Sequence, residues 1–221
     1  MDPKENAARE ALKLVRSKMV VGLGTGSTAA IFIKLLGEKA KEEKIKVRCV
    51  PTSFESRRMA VENGLDVFEL DQVEGIDIAI DGADLVTEEL YAIKGKGGAL
   101  SREKIIGYNA KKFVLIVDSS KMGDELNGIV PIEVLPFAYP FVMRELKKKG
   151  IPSTLRTSLS RSGPVITDNN NFILDAKMAV EAPEEMEGEI NGILGVVENG
   201  IFTKVSGVIV GYEDSVKVIE K

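Results

Sequence analysis

The sequence contains no histidine and no tryptophan, and it has only one cysteine, Cys49, and one glutamine, Gln72, among 221 residues. Without histidine there can be no serine–histidine or cysteine–histidine nucleophile, no histidine-ligated zinc and no imidazole acid–base catalysis. Proton transfer must fall to carboxylates and lysines. A single cysteine cannot close a disulfide within the chain, and Cys49 stands in the alternating apolar series Ile45, Val47, Cys49, which marks it as strand packing. No uninterrupted apolar run approaches the ~18 residues of a membrane span. The opening MDPKENAARE mixes acids and bases and lacks an apolar signal stretch. The expectation is a cytoplasmic protein that contacts no membrane. Thirty basic against 34 acidic residues leave a net charge of −4, so no global positive field exists to condense nucleic acid. Any anionic ligand must be held locally. The scarcity of glutamine beside plentiful glutamate and lysine is compatible with a heat-adapted source and equally with chance.

What is present describes an ordinary globular chain, 44% hydrophobic and 29% charged, long enough for one large domain or two small ones. Ala8, Ala11, Leu12 and Val15 have helical spacing; the apolar run Met19 to Leu23 then leads into the glycine-rich Gly24 to Thr28. A second helix follows, with Ser27 or Thr28 as its expected cap. Ile45 to Val50 reads as a strand. Thr52 and Glu55 have capping-box spacing before a helix that stops near Asn63-Gly64. Further strands are expected at Leu65 to Phe68, Ile76 to Ile80 and Phe113 to Val117, the last apolar throughout, as when helices cover both sheet faces. The pattern predicts an α/β fold with an open, mainly parallel, Rossmann-like sheet over residues 1–126. From 127 to 199 the order changes to strand (Ile129 to Val134), helix (Phe137 to Lys149), strands (Ser153 to Leu159, Val165 to Thr167, Phe172 to Ala176), helix (Pro183 to Leu194) and a closing strand. This approximates βαββαβ, a smaller α+β domain. The segment 200–221 is β-rich and is expected to return to the first sheet.

Four segments could carry chemistry. Gly22-Leu23-Gly24-Thr25-Gly26-Ser27-Thr28 lies where a strand hands over to a helix, so its N–H groups and the helix dipole can converge on an anion. The dinucleotide fingerprint fails, because its third glycine would be Ser27 and no acidic residue ends the second strand; a Walker A lysine is also missing. Three hydroxyls, on Thr25, Ser27 and Thr28, suit a phosphate monoester, and a ligand-free tight turn is the alternative. Asp81-Gly82-Ala83-Asp84 follows the strand ending at Ile80 and emerges at the same crevice. These aspartates could cap a turn and meet solvent, or contribute to a magnesium site for which no third ligand is recognisable. Lys94-Gly95-Lys96-Gly97-Gly98 allows close backbone approach to an oxygen-rich ligand and runs into a helix with Glu103 near its first turn, unless it is simply a flexible basic loop. Lys121, in Asp118-Ser119-Ser120-Lys121, follows the apolar strand and can point the same way.

GLGTGST at 22–28, DGAD at 81–84, KGKGGAL with SREK at 94–104, DSSK at 118–121 and TDNN at 167–170 occur in the order that resembles the ribose-5-phosphate isomerase type A family. The resemblance runs from the first helix to the C-terminus. It implies metal-independent, cofactor-free interconversion of D-ribose 5-phosphate and D-ribulose 5-phosphate in the pentose phosphate pathway, with the smaller domain ferredoxin-like. It places the substrate phosphate at Thr25, Gly26, Ser27 and Thr28, and sugar oxygens at Asp81, Gly82, Ala83 and Asp84. It further implies oxygen stabilisation by Lys94 with Gly95, Lys96 and Gly97, general-base catalysis by Glu103 and substrate contact by Lys121. Lys96 and Asn170 stand where many members carry glycine. Asp81 is expected to assist ring opening and Asp84 to position a hydroxyl.

Other readings are a phosphosugar sensor, which would need neither Glu103 nor Lys94, and an isomerase for another phosphosugar. The expected partners are a small phosphosugar and, from exposed sheet edges, further copies of the chain in a dimer or tetramer, with no nucleic acid.

Overall fold

The computed structural model describes residues 2–158 and 162–221. In chain order the elements are α1 (Pro3–Leu12), β1 (Val20–Leu23), α2 (Ser27–Glu42), β2 (Arg48–Pro51), α3 (Phe54–Glu62), β3 (Asp66–Val67), β4 (Ile76–Asp81), β5 (Leu85–Val86), β6 (Ala92–Ile93), α4 (Leu100–Asn109) and β7 (Ala110–Asp118). Then come β8 (Leu126–Val134), α5 (Tyr139–Lys148), β9 (Ser153–Leu155), β10 (Phe172–Val180), α6 (Pro183–Asn191), β11 (Val196–Asn199), β12 (Ile201–Phe202), β13 (Gly207–Gly211) and β14 (Val216–Glu220).

Seven strands form one sheet in the order β14-β13-β7-β4-β1-β2-β3. Every neighbouring pair is parallel except β13 with β14. Phe113 to Val117 of β7 alternate between two apolar layers: Val114 and Ile116 join the core of α1, α2 and α3, while Phe113, Leu115 and Val117 face the layer that includes Ile106 of α4. Helices cover both faces, which is why this strand is apolar at every position. Truncating Phe113 or Ile116 to alanine would cost about 2–5 kcal/mol at such fully buried positions. Cys49 of β2 is fully buried in the first layer, and burial, with Asp66 nearby, pushes its thiol up to about 12. It is an inert packing residue.

A separate antiparallel sheet has the order β11-β8-β10-β9, the interleaved pairing that two crossed βαβ units produce. Its core includes Val142 and Leu146 of α5 and Ile190 of α6. A third, three-stranded sheet, β12-β6-β5, is not apparent in the sequence pattern and joins residues 201–202 to 85–93.

The strand expected at Ile45 to Val50 begins at Arg48, and the helix expected to reach Leu194 ends at Asn191. Val165 to Thr167 make no strand: Ile166 forms a single bridge with Phe172, because Thr167 closes a turn on Asn170 and Asn171. The strand expected from Ser153 to Leu159 ends at Leu155, and Leu159 itself lies outside the described residues.

Candidate active site

From β1 the chain moves outward through β2 to β3, and then returns to place β4 on the other side of β1. The strand order therefore reverses between β1 and β4, opening a crevice at their carboxyl ends. Gly24 follows β1 and Asp81 ends β4. Gly24 N–H donates to the Ile80 carbonyl at 2.9 Å, and Thr25 N–H donates to Asp81 Oδ1 at 3.0 Å.

Gly26 turns the chain with φ +112° and stands as the N-cap of α2. No side chain caps this helix, so the expected cap by Ser27 or Thr28 is not formed. The helix N-terminus is left for an external acceptor, in the geometry that suits a phosphate. Thr25 is engaged elsewhere: its hydroxyl donates to Ser53 Oγ at 2.7 Å and pairs with Thr52 Oγ1 at 2.8 Å. With Thr52 so occupied, the capping box of α3 is built from Ser53 and Ser56 rather than from Thr52 and Glu55. Ser27 Oγ accepts a hydrogen bond from Lys4 Nζ at 3.0 Å.

Beneath this loop, three ionisable groups share one buried spot. Lys94, just beyond β6, is 2% exposed, Asp81 1% and Glu103 3%. Lys94 Nζ stands 3.0 Å from Asp81 Oδ2 and 3.3 Å from Glu103 Oε2, donates to the Gly82 carbonyl and lies 5.5 Å from the centre of the Phe202 ring. Asp81 Oδ2 and Glu103 Oε2 meet the ammonium as ion pairs without an aligned hydrogen bond, so both keep acceptor capacity. Burial pushes the Asp81 carboxyl up, while Lys94 and the N–H groups of Gly82 and Thr25 pull it back. Burial and the neighbouring Asp81 push Glu103 up to about 8, with only Lys94 opposing. For Lys94, burial is outweighed by Asp81, Glu103 and Asp84, which hold its ammonium above the ordinary lysine value. One cation thus serves two carboxylates, and Glu103 is the one less well satisfied.

The cleft above has a volume of about 330 Å³ and is lined by Thr25 to Thr28, Gly82 to Asp84, Lys94 to Gly97, Glu103, Lys121 and Lys4; Asp81 does not line it and meets it through Lys94. Asp84 Oδ2 accepts from Lys96 N–H at 2.9 Å, tying the two rim loops together. Arg156, gripped by Asp175, donates from Nη1 to the carbonyls of Gly95 and Lys96 at 3.1 and 3.0 Å. The exposed Lys96 side chain therefore sits on a fixed backbone. Asn170 adopts φ +62°, a left-handed turn position that asparagine tolerates. Lys4, Arg156 and Phe202 carry no local sequence signal. Each reaches the site only through contacts between elements far apart in the chain.

The family described as ribose 5-phosphate isomerase A (phosphoriboisomerase A) matches residues 48–215. The ribose-5-phosphate isomerase A of Methanococcus aeolicus is 51% identical over 100% of this chain and 95% of its own. The solved structure of ribose 5-phosphate isomerase A from Methanocaldococcus jannaschii superposes with a TM-score of 0.97 at 48% identity, covering 100% of this chain and 99% of that one. A D-ribose-5-phosphate isomerase structure in complex with phospho-erythronic acid also gives 0.97 at 48% identity, covering 100% and 98%. By family match, full-length identity and shared fold, this chain belongs to the ribose 5-phosphate isomerase A family.

Proposed function

We propose that this chain interconverts D-ribose 5-phosphate and D-ribulose 5-phosphate with Glu103 as the base and Lys94 as the electrophile. The observation that carries this reading is the single buried ammonium set between two buried carboxylates under a cleft whose rim is an uncapped helix N-terminus. The substrate phosphate binds Ser27, Thr28 and the first N–H groups of α2, with Lys4 and Lys121 adding positive charge. Gly26 lets the loop turn into this helix, and Thr25, its hydroxyl proton committed to Ser53, braces the loop.

Asp81 assists ring opening and Asp84 orients a sugar hydroxyl, with Gly82 and Ala83 forming the wall between them. The Glu103 carboxylate removes the proton from C2 of the open-chain aldose as the C1–C2 double bond forms and negative charge gathers on O1. Lys94 and the N–H groups of the Gly95 to Gly98 loop, including Lys96 and Gly97, stabilise that charge. The O2 proton passes to O1, and Glu103 returns its proton to C1, giving the ketose. A placed base typically contributes about 10²–10⁴-fold. The complementary positive charge comes from Lys94, so this reading assigns no metal and no organic cofactor.

Ketose formation from ribose 5-phosphate, followed with and without a chelator, tests the reading: turnover unchanged by the chelator and nearly abolished in Glu103→Gln supports it. Full turnover in Glu103→Gln overturns the assignment of the base. A binding-only sensor would convert no substrate.

The rest of the reading is a cytoplasmic enzyme of the pentose phosphate pathway that acts as a homo-oligomer, with units 1–126 and 127–199 and a returning segment 200–221. Among the described residues no helix is long and apolar enough to cross a membrane. An apolar patch of Leu135, Phe137 and Leu194, the last two 99% and 81% exposed, supports contact with a second copy. These residues adjoin because Leu135 N–H donates to the Gly195 carbonyl at 2.9 Å.

A further inference from the structure

We infer that Glu133 of β8 is a positioning residue for Glu103. This rests on the assignment of Glu103 as the base. Glu133 is 0% exposed, and among the described residues no lysine or arginine pairs with it. A buried carboxylate without a cation is costly unless its oxygens are fully hydrogen-bonded, and here four neutral donors converge. Thr167 Oγ1, Asn171 Nδ2 and Asn169 Nδ2 donate to Oε1 at 2.7, 2.9 and 3.1 Å, and Ser101 Oγ donates to Oε2.

Three of those donors belong to the 167–171 turn, and the fourth lies in the first turn of α4, two residues before Glu103. The turn is itself closed: Thr167 Oγ1 accepts from the N–H groups of Asn169 and Asn171. Glu133 therefore fastens the start of α4 to a rigid block of the antiparallel sheet. Arg102 adds a second tie, donating to the Asp168 carbonyl at 2.9 Å and to Asn169 Oδ1 at 2.7 Å, with its guanidinium 5.4 Å from the Phe54 ring centre.

The same turn reaches the phosphate loop. Asp168 Oδ2 accepts from Phe54 N–H at 2.8 Å, and Ser53, the preceding residue, takes the Thr25 hydroxyl at 2.7 Å. Hydrogen bonds, linked through the Ser53–Phe54 peptide, thus connect Ser101 and Arg102 beside Glu103 to Thr25 in the glycine-rich loop. The inferred task of Glu133 is to fix the distance between the carboxylate that takes the C2 proton and the site that anchors the far end of the substrate. A misplacement near 1 Å costs on the order of 10²-fold in rate, so a hydrogen-bond network that touches no substrate can control turnover.

Three variants and one double variant test this, with kcat, KM and the isotope effect of 2-deuterated ribose 5-phosphate as readouts. Glu133→Met, which removes both acceptors at similar volume, should lower kcat by about 30–100-fold with KM within about threefold, and should raise the isotope effect as proton removal becomes limiting. Glu133→Gln, which still accepts from the turn and can donate to Ser101, should recover most of that loss. Ser101→Ala, a small change that preserves folding if Glu133→Met does not, should lower kcat by about tenfold with the same isotope signature. In a Glu103→Gln background, Glu133→Met should cost nothing further, since positioning an absent base has no effect.

Wild-type kcat in folded Ser101→Ala, an unchanged isotope effect, or an equal loss in the Glu103→Gln background would each overturn the inference. Full turnover in Glu103→Gln alone would instead overturn the assignment of the base on which it rests.

Discussion

A β-carbon at position 24 would lie 2.0 Å from Asp81 Oδ1 and 2.6 Å from Asp81 Cα. The loop after β1 and the end of β4 are therefore in backbone contact, and only glycine fits. Gly24→Ala must push Asp81 aside, and overpacking of this kind costs about 1–3 kcal/mol. Because Asp81 is tied to Lys94, we expect kcat/KM to fall by about 10²-fold, well beyond what the loss of folded protein explains. Steady-state kinetics beside thermal unfolding would check this.

Activity and stability should respond to pH in opposite directions through Glu103. Its carboxyl is raised from 4.5 to about 8 in the folded protein, so the folded state holds this proton more tightly than the unfolded chain. The stability contributed by protonated Glu103 is complete below about 4.5 and is lost as pH rises through about 8. As the proposed base, Glu103 is competent only when deprotonated, so kcat/KM should climb over the upper part of the same window, with an inflection belonging to the Asp81–Lys94–Glu103 cluster. Glu103→Gln should flatten the decline in stability, which denaturant titrations at pH 5 and pH 9 would measure.

Lys94 is the cation between two buried carboxylates, so Lys94→Met leaves both unpaired. Breaking a buried pair in this way costs about 3–5 kcal/mol. The loss should be greatest at high pH and shrink on acidification as Asp81 and Glu103 take up protons, while isomerase turnover is lost at every pH. Unfolding midpoints that fail to recover at low pH would contradict this account.

Lys4 Nζ reaches Ser27 Oγ from the first turn of α1. Lys4→Ala should raise KM several-fold and leave kcat within about twofold, because the proposed phosphate contact, far from C1 and C2, would bind substrate and transition state alike. The KM difference should narrow in high salt as the charge is screened.

The patch around Phe137 should matter for assembly and not for chemistry. Phe137→Glu is expected to shift the chain toward monomer in analytical ultracentrifugation with little change in kcat, since the side chain is 99% exposed within one chain and does not line the cleft.

The legible features were local ones. A glycine-rich hand-over from strand to helix and apolar runs with strand or helix period each depend on a few consecutive residues. Where reading the sequence failed, a distant partner had intervened. Thr52 has the spacing of a helix cap, but Thr25 takes its hydroxyl and the cap moves to Ser53. Val165 to Thr167 alternate as a strand would, but the hydroxyl of Thr167 is drawn to Glu133 and its backbone closes the turn. Lys4, Arg156 and Glu133 sit in segments that look like ordinary helix, strand edge and apolar strand.

By its residues alone the chain determined which chemistry was open to it: without histidine and with one cysteine, proton transfer had to run through carboxylates and lysines, and the ordered motifs named the family. Only the tertiary structure decided that Asp81, Lys94 and Glu103 share one dry spot. Lys94 reaches it because its N–H pairs with the Gly200 carbonyl at 2.9 Å, beside the pairing of β6 with β12, and Glu103 because α4 packs against the sheet. Charge and pKa depend on distance and burial, and both are set by how separate elements pack, for Lys94 by a segment that lies far along the chain at Gly200.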